Sequence, residues 1–185
     1  DIKQNNTARE NDMLFLTKKL GVGILTTAEK KGLLKTQHKS LAANQMMQLN
    51  KVGEQLSQIE GVHAMTDVTG FGLLGHLVEM AEGSELSAKV ALDKIPLICD
   101  DIHYYLNSHA VPGGTNRNWK SYGHKVLIDA TIDASFAKNI LADPQTSGGL
   151  LIAVAPDAVD QVKTVLVSTG YGDFVQAVGK MIGKT

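Results

Sequence analysis

The 185-residue chain carries 18 Lys and Arg residues against 19 Asp and Glu residues, for a formal net charge of -1, and 43% of its residues are hydrophobic. This balance argues against the strongly basic surface by which proteins bind nucleic acids or anionic membranes. No apolar stretch approaches the ~20 residues of a membrane span, and the N-terminus lacks a signal-peptide pattern. Cys99, the one cysteine, predicts a small buried side chain, and we expect a cytoplasmic location.

The first part of the chain alternates between extended and helical patterns. Residues 1–12 are polar and without periodicity, which predicts a linker or a disordered start. The apolar run at 13–17 predicts a strand, and the glycines within 20–25 predict a loop after it. Apolar side chains recur every three or four residues from 40 to 59, which predicts one amphipathic helix.

The alternation continues to the end of the chain. An extended stretch at 63–66 runs into a turn, and apolar residues from 71 to 81 predict a helix that ends near Gly83. The remaining predicted elements are strands at 88–92, 150–155 and 174–179, helices at 95–106, 136–141 and 156–169, and a turn-rich loop at 110–118. This order predicts an α/β (α+β) fold, a layered sandwich of helices on a mixed sheet, with residues 13–185 as a single domain.

The sharpest chemical signal is the segment 65–76, MTDVTGFGLLGH, where a strand end passes into a glycine-rich helix start. Helix N-termini offer free N–H groups and a partial positive charge, and glycines allow close approach, so this turn favours phosphate. The carboxylate of Asp67 is a hard oxygen ligand that suits Mg²⁺ beside that phosphate. The alternative is that Asp67 or Thr69 only caps the helix and that the glycines only permit tight packing.

A second hypothesis starts from the same glycines. Gly70, Gly72 and Gly75 form the pattern G-x-G-x-x-G, and Asp93 follows at the end of a predicted strand. This is the arrangement of a dinucleotide-binding βαβ unit. Against it, the preceding stretch is a poor apolar strand, Asp67 would place a carboxylate beside the pyrophosphate, and a long helix comes first in the chain.

Two further groups of residues carry weaker signals. The loop 143–149, DPQTSGG, suits either the binding of a phosphate by backbone N–H groups or a sharp turn beneath the sheet. The six histidines show no paired spacing for a zinc site. No catalytic triad or activated cysteine is indicated, so no catalytic residue is assigned within this chain.

Four segments in order resemble the C-terminal half of selenophosphate synthetase (selenide, water dikinase). They are LTKKLGVG at 16–23, MTDVTGFGLLGH at 65–76, VPGGT with Arg117 and Asn118 at 111–118, and DPQTSGGLL at 143–151. The chain departs from the family pattern at Lys19, where many members have Pro. The resemblance implies the fold that this family shares with aminoimidazole ribonucleotide synthetase and thiamine monophosphate kinase.

The resemblance also implies a function. Members of this family convert ATP, selenide and water to selenophosphate, AMP and phosphate, and they are normally homodimers. Asp67 matches the family's Mg²⁺-binding aspartate. The resemblance implies that four neighbouring residues accompany Asp67 in binding ATP: Thr66, Thr69, Gly70 and Gly72. The reactive Cys or selenocysteine, the essential Lys and most of the ATP site belong to an N-terminal half that this chain lacks, so the chain alone is expected to be inactive.

The same residues also allow a non-catalytic hypothesis. In it the chain is a scaffold whose glycine motifs serve packing and whose exposed face docks the missing half. His76 and Arg117 match family motifs, but neither motif assigns them a role. His76 is expected to be a satisfied or solvated side chain.

Overall fold

One five-stranded sheet lies at the centre of the computed structural model, which describes residues 3–185. The strands are β1 (Met13–Leu16), β2 (Val62–Asp67), β3 (Ser87–Val90), β4 (Leu150–Val154) and β5 (Gly179–Ile182). Their order across the sheet is β2-β4-β1-β5-β3, and all four pairings are antiparallel. The predicted mixed sheet is therefore corrected to an antiparallel one, because periodicity marks strands without giving their direction.

Helices cover both faces of this sheet. They are α1 (Val22–Lys30), α2 (Leu41–Met47), α3 (Val52–Ser57), α4 (Gly72–Gly83), α5 (Ile102–Asn107), α6 (Gly113–Tyr122), α7 (Ala134–Leu141) and α8 (Val159–Ser168). Leu151 and Ala153 of β4 face the larger core, which includes residues of α1, α4, α5 and α7. Ile152 and Val154 face the opposite core, with α3 and α8. The predicted layered sandwich is thus confirmed, and β4 is buried on both faces because it alternates between two cores.

Two predicted segments differ because distant residues act on them. The expected loop at 20–25 is the start of α1, where the carboxylate of Asp143 accepts a hydrogen bond from the Gly23 N–H at 3.1 Å. The single helix expected at 40–59 is broken between α2 and α3, where the Lys18 ammonium donates to the Gln48 carbonyl at 2.6 Å. Neither Asp143 nor Lys18 belongs to the segment whose local pattern was interpreted.

Two other predictions are corrected by the observed elements. The turn-rich segment expected as a loop at 110–118 contains the first turns of α6, despite the paired glycines at its start. The closing strand expected at 174–179 begins only at Gly179, and a short 3₁₀ helix occupies Gly172–Phe174. The strands at 13–16, 62–67 and 150–154 agree with expectation, as do the helices α4, α7 and α8.

The start of the chain lies against β2. Residues 1 and 2 of the predicted linker are outside the described residues, whereas residues 3–12 make defined contacts that differ from a disordered start. The Met65 N–H donates to the Gln4 carbonyl at 3.1 Å, and the Thr7 hydroxyl donates to the His63 carbonyl at 2.6 Å. Asp12 is 1% exposed and contacts the His63 ring. Within residues 3–185, no helix has the length and apolar character that a membrane crossing requires.

Candidate functional site

The four sequence motifs meet at one end of the sheet. Both β1 and β2 run antiparallel to β4. The C-terminal ends of β1 and β2 therefore lie beside the start of β4. The Thr17 N–H donates to the Leu150 carbonyl at 3.0 Å, and the Val68 N–H donates to the Gly149 carbonyl at 2.8 Å. The segment 111–118 joins them through Asn118 of α6, whose side-chain amide donates to the Gly70 carbonyl at 2.8 Å. Segments that are far apart in sequence therefore form one cluster.

Asp67 ends β2 at the surface of this cluster. Its side chain is exposed and lines an open groove of about 500 Å³ together with Thr66, Met65 and residues 3–6. Within residues 3–185, no Lys, Arg or His side chain lies within salt-bridge distance of the Asp67 carboxylate. Among the residues that the structure describes, the carboxylate therefore has no ion-pair partner, and it is open to solvent.

The oxygen chemistry of this groove bears on the predicted Mg²⁺. The described part of the chain contains no group of three or more His, Cys, Asp or Glu side chains placed to hold a metal ion. Mg²⁺ usually takes one or two protein carboxylates and completes its shell with water and phosphate oxygens. The single exposed carboxylate of Asp67 is chemically suited to be one such ligand, and its role in binding Mg²⁺ stays a prediction.

The turn after Asp67 is held from several sides. The Thr69 carbonyl accepts hydrogen bonds from the N–H groups of Gly72 at 3.0 Å and Gln145 at 3.1 Å. The Thr69 N–H donates to Nε2 of His76, also at 3.0 Å. His76 is 8% exposed, and its Nε2 accepts this hydrogen bond. Of the two alternatives expected for His76, a satisfied or a solvated side chain, the first is confirmed. Hydrogen bonds to α4 and to the loop 143–149 thus make this turn a platform at the end of β2.

The two glycines predicted to approach a ligand lie in different surroundings. A β-carbon at Gly70 would meet no heavy atom within 4 Å, so that face is open. At Gly72, where φ is +72°, a β-carbon would lie 2.8 Å from the carbonyl carbon of Ala142. Gly72 is therefore required for packing, and Gly70 alone offers open space for close approach. The ligand roles of Thr66, Thr69, Gly70 and Gly72 stay predictions.

The loop 143–149 is packed mainly beneath the sheet end. A β-carbon at Gly148 would lie 2.2 Å from the Val68 carbonyl oxygen, and one at Gly149 would lie 2.4 Å from the Lys18 nitrogen. These contacts favour the sharp turn over a phosphate loop for the glycine pair. Thr146 and Ser147, by contrast, are exposed beside it.

Asp143 at the start of this loop is fully buried. Its Oδ2 accepts hydrogen bonds from the Gln145 side chain at 2.7 Å and the Gly23 N–H at 3.1 Å, whereas Oδ1 has no partner among the described residues. Burial raises the pKa of Asp143 to about 7 against the effect of these hydrogen bonds. The sequence interpretation treated Asp143 only as part of a loop, and an acid directly before Pro144 carried no signal of burial.

Lys18 is a second buried charge that the sequence interpretation missed. Lys18 is 1% exposed, and its ammonium donates to the carbonyls of Gln48 at 2.6 Å and Ser147 at 2.7 Å. Burial lowers the pKa of this ammonium. The sequence signal that could have indicated its burial was its position two residues after the end of the apolar strand β1. Lys18 joins the strand end, the break between α2 and α3, and the loop 143–149.

Two residues singled out by sequence lie apart from these interactions. Arg117 is exposed on α6. Cys99 is partly buried and packs against the larger core, so the small buried side chain expected for it is confirmed in part, and burial raises the pKa of its thiol. A raised pKa keeps the thiol protonated at neutral pH, so Cys99 has none of the activation of a nucleophile.

The topology contradicts the dinucleotide-binding hypothesis. That site requires two parallel neighbouring strands joined by a helix that starts at the glycine motif. Here α4 connects β2 to β3, which lie at opposite edges of the sheet. Asp93 lies in a short 3₁₀ helix after β3. Within residues 3–185, the glycine motif therefore has no parallel βαβ unit around it.

Curated selenide, water dikinases are similar to the chain over most or all of its length. A selenide, water dikinase from Aeromonas hydrophila is 54% identical over 169 residues, which cover 91% of this chain and 48% of the relative. One from Haemophilus influenzae is 52% identical over 184 residues, which cover 100% of this chain and 51% of the relative. The chain thus spans about half the length of the curated relatives it matches. The resemblance predicted from the four motifs is confirmed.

Solved structures share the fold at low sequence identity. Hydrogenase maturation protein HypE in complex with ATP superposes with a TM-score of 0.64 at 18% identity, over 98% of this chain and 45% of that chain. Thiamine-monophosphate kinase from Stenotrophomonas maltophilia gives a TM-score of 0.64 at 16% identity, over 99% of this chain and 51% of that chain. The family model described as AIR synthase related protein, C-terminal domain, matches residues 9–185. The chain belongs to this family of AIR synthase related C-terminal domains.

Proposed function

We propose that the chain is the C-terminal domain of a selenide, water dikinase, which makes selenophosphate, AMP and phosphate from selenide, ATP and water. Relatives of that name are 52–54% identical to it. The single observation that supports a direct role is the position of Asp67. Its carboxylate stands exposed at a strand end in an open groove, and no Lys, Arg or His side chain of residues 3–185 lies within salt-bridge distance of it.

In this proposal the domain contributes Asp67 to a Mg²⁺ ion that ATP brings to the groove. Bound Mg²⁺ neutralises phosphate charge in phosphoryl transfer. Asp67 supplies one anionic oxygen, and the open face of Gly70 gives the phosphates room beside it. Thr66 and Thr69 lie at the same edge and are the further residues that we expect to contact ATP. The domain thus positions and neutralises, and it provides no nucleophile.

The scaffold hypothesis describes the other glycines of the site. Gly72, Gly148 and Gly149 each lie so close to neighbouring backbone that a β-carbon would clash. Their role is to bring the motif segments together beneath Asp67. Both functions are compatible, because the packing glycines build the platform that carries the acid.

The proposal includes further properties of the enzyme: its dependence on both halves, its use of ATP, its assembly and its location. We expect the domain to be inactive without the remaining half of the enzyme, since no nucleophile is assigned in it. Use of ATP is supported by the names of the dikinase relatives and by the ATP complex of a fold neighbour. Homodimeric assembly, Mg²⁺ dependence, selenide as substrate and a cytoplasmic location are predictions from the family resemblance.

The proposal is tested by Asp67→Asn in the whole enzyme. The substitution keeps the size of the side chain and removes its charge, so we expect selenide-dependent AMP formation to fall by about 100-fold or more. Asp93→Asn is the matched control, because Asp93 is also exposed but lies after β3. Thermal unfolding of both variants should match the parent enzyme. Near-normal turnover of a folded Asp67→Asn enzyme would show that Asp67 is not a metal ligand.

A further inference from the structure

We infer that His76 is a positioning residue whose neutral imidazole, protonated on Nδ1, sets the orientation of the turn that presents Asp67. This inference deepens the proposed function and rests on it, since it concerns the same turn. The Thr69 backbone nitrogen lies 3.0 Å from Nε2 of His76. A backbone amide can only donate, so Nε2 must accept and the ring proton must be on Nδ1.

The surroundings of the ring favour this neutral form. His76 is 8% exposed, and burial lowers its pKa against the opposing attraction of Glu79 and Asp67. Oε2 of Glu79 lies 3.9 Å from Nδ1, but Glu79 is mostly exposed and its other oxygen accepts from Asn5. The Phe71 ring meets His76 edge-on, with centroids 6.1 Å apart. No cation faces the ring in these contacts.

Protonation of His76 would remove the acceptor on which the turn depends. With both ring nitrogens carrying protons, the Thr69 N–H would face another donor and lose its partner. Thr69 lies two residues after Asp67, so its backbone sets the direction in which the strand end leaves the sheet. The Thr69 hydroxyl is also 3.0 Å from Nε2. With Nε2 unprotonated, the hydroxyl can donate to it as well and share it with the amide, so both polar groups of Thr69 depend on the neutral ring.

Two substitutions separate the acceptor from the ring. His76→Gln places an amide oxygen near the position of Nε2 and does not titrate, whereas His76→Phe keeps an aromatic ring beside Phe71 and has no acceptor. In the whole enzyme we expect His76→Gln to stay within about 3-fold of the parent rate at neutral pH and His76→Phe to lose about 10-fold or more. The acid-side fall in rate that comes from His76 should be absent in His76→Gln.

Two measurements on the same enzyme need no turnover. Imidazole ¹⁵N shifts, assigned by comparison with His76→Gln, should show the Nδ1–H form at neutral pH. Hydrogen exchange of the Thr69 amide should be slow in the parent and in His76→Gln, and at least about 10-fold faster in His76→Phe. An Nε2–H or charged ring at neutral pH, a fully active His76→Phe, or a His76→Gln as impaired as His76→Phe would each overturn the inference. An active Asp67→Asn enzyme would instead overturn the proposed function and leave the ring form and Thr69 exchange unchanged.

Discussion

The α-carbon of Gly72 lies against the backbone of Ala142, and a β-carbon at position 72 would stand 2.8 Å from the Ala142 carbonyl carbon. This contact joins the start of α4 to the end of α7. Gly72 is thus needed for packing. Gly70 belongs to the same glycine motif, but a β-carbon there would meet no heavy atom within 4 Å.

Replacing each of these glycines by alanine should separate packing from ligand approach. Gly72→Ala combines an unfavourable φ of +72° with a clash against backbone, so we expect the free energy of unfolding to fall by about 2–5 kcal/mol. Gly70→Ala is the matched control, because its added β-carbon meets nothing within 4 Å, and it should change stability by less than about 1 kcal/mol. Urea unfolding measures both. Equal stabilities would contradict the packing role of Gly72.

Asn118 should stabilise the same turn from the side of α6. Its amide donates to the carbonyls of Gly70 at 2.8 Å and Ala142 at 3.1 Å. Asn118→Ala leaves both acceptors without this donor, so we expect a loss of about 2–4 kcal/mol in the free energy of unfolding. Asn116→Ala, on the exposed side of the same helix, should cost less than about 1 kcal/mol. Similar losses in urea unfolding for the two variants would show that the Asn118 contacts contribute little.

Asp143 should make stability depend on pH between about 4 and 7. Burial raises its pKa from 3.8 to about 7 in the folded chain, so in this window the folded state binds more protons than the unfolded state. Stability from this group therefore falls as the pH rises, by at most about 1.4 kcal/mol per pH unit. Asp143→Asn keeps an acceptor for Gly23 and does not titrate. Its stability relative to the parent should thus increase from pH 4 to pH 7.

Chemical unfolding across this pH range, with Asp157→Asn as an exposed control, measures the effect of Asp143. The control should show the same pH dependence as the parent. A constant difference between Asp143→Asn and the parent at all pH values would mean that Asp143 does not titrate in this window.

Local sequence patterns were sufficient where one segment contains its own signal. The apolar run of β4 and the punctuated periodicity of α4 and α8 each predicted an element that the structure contains. The position of Asp67 at a strand end before a helix start was also readable, because it needs only the change from one periodicity to the other. The order of four motifs indicated the family.

Other features depend on residues that are distant in sequence. The start of α1 is capped by Asp143, 120 residues later, and the helix expected at 40–59 is interrupted where Lys18 takes the Gln48 carbonyl. Strand direction, and hence the meeting of the motifs, follows from the pairing order across the sheet. The sequence by itself thus determined the elements that contain their own local signal, the family and the position of Asp67 at a strand end. Only the tertiary structure decided which glycines pack and that His76 holds the turn, because such contacts leave no periodic trace in the chain.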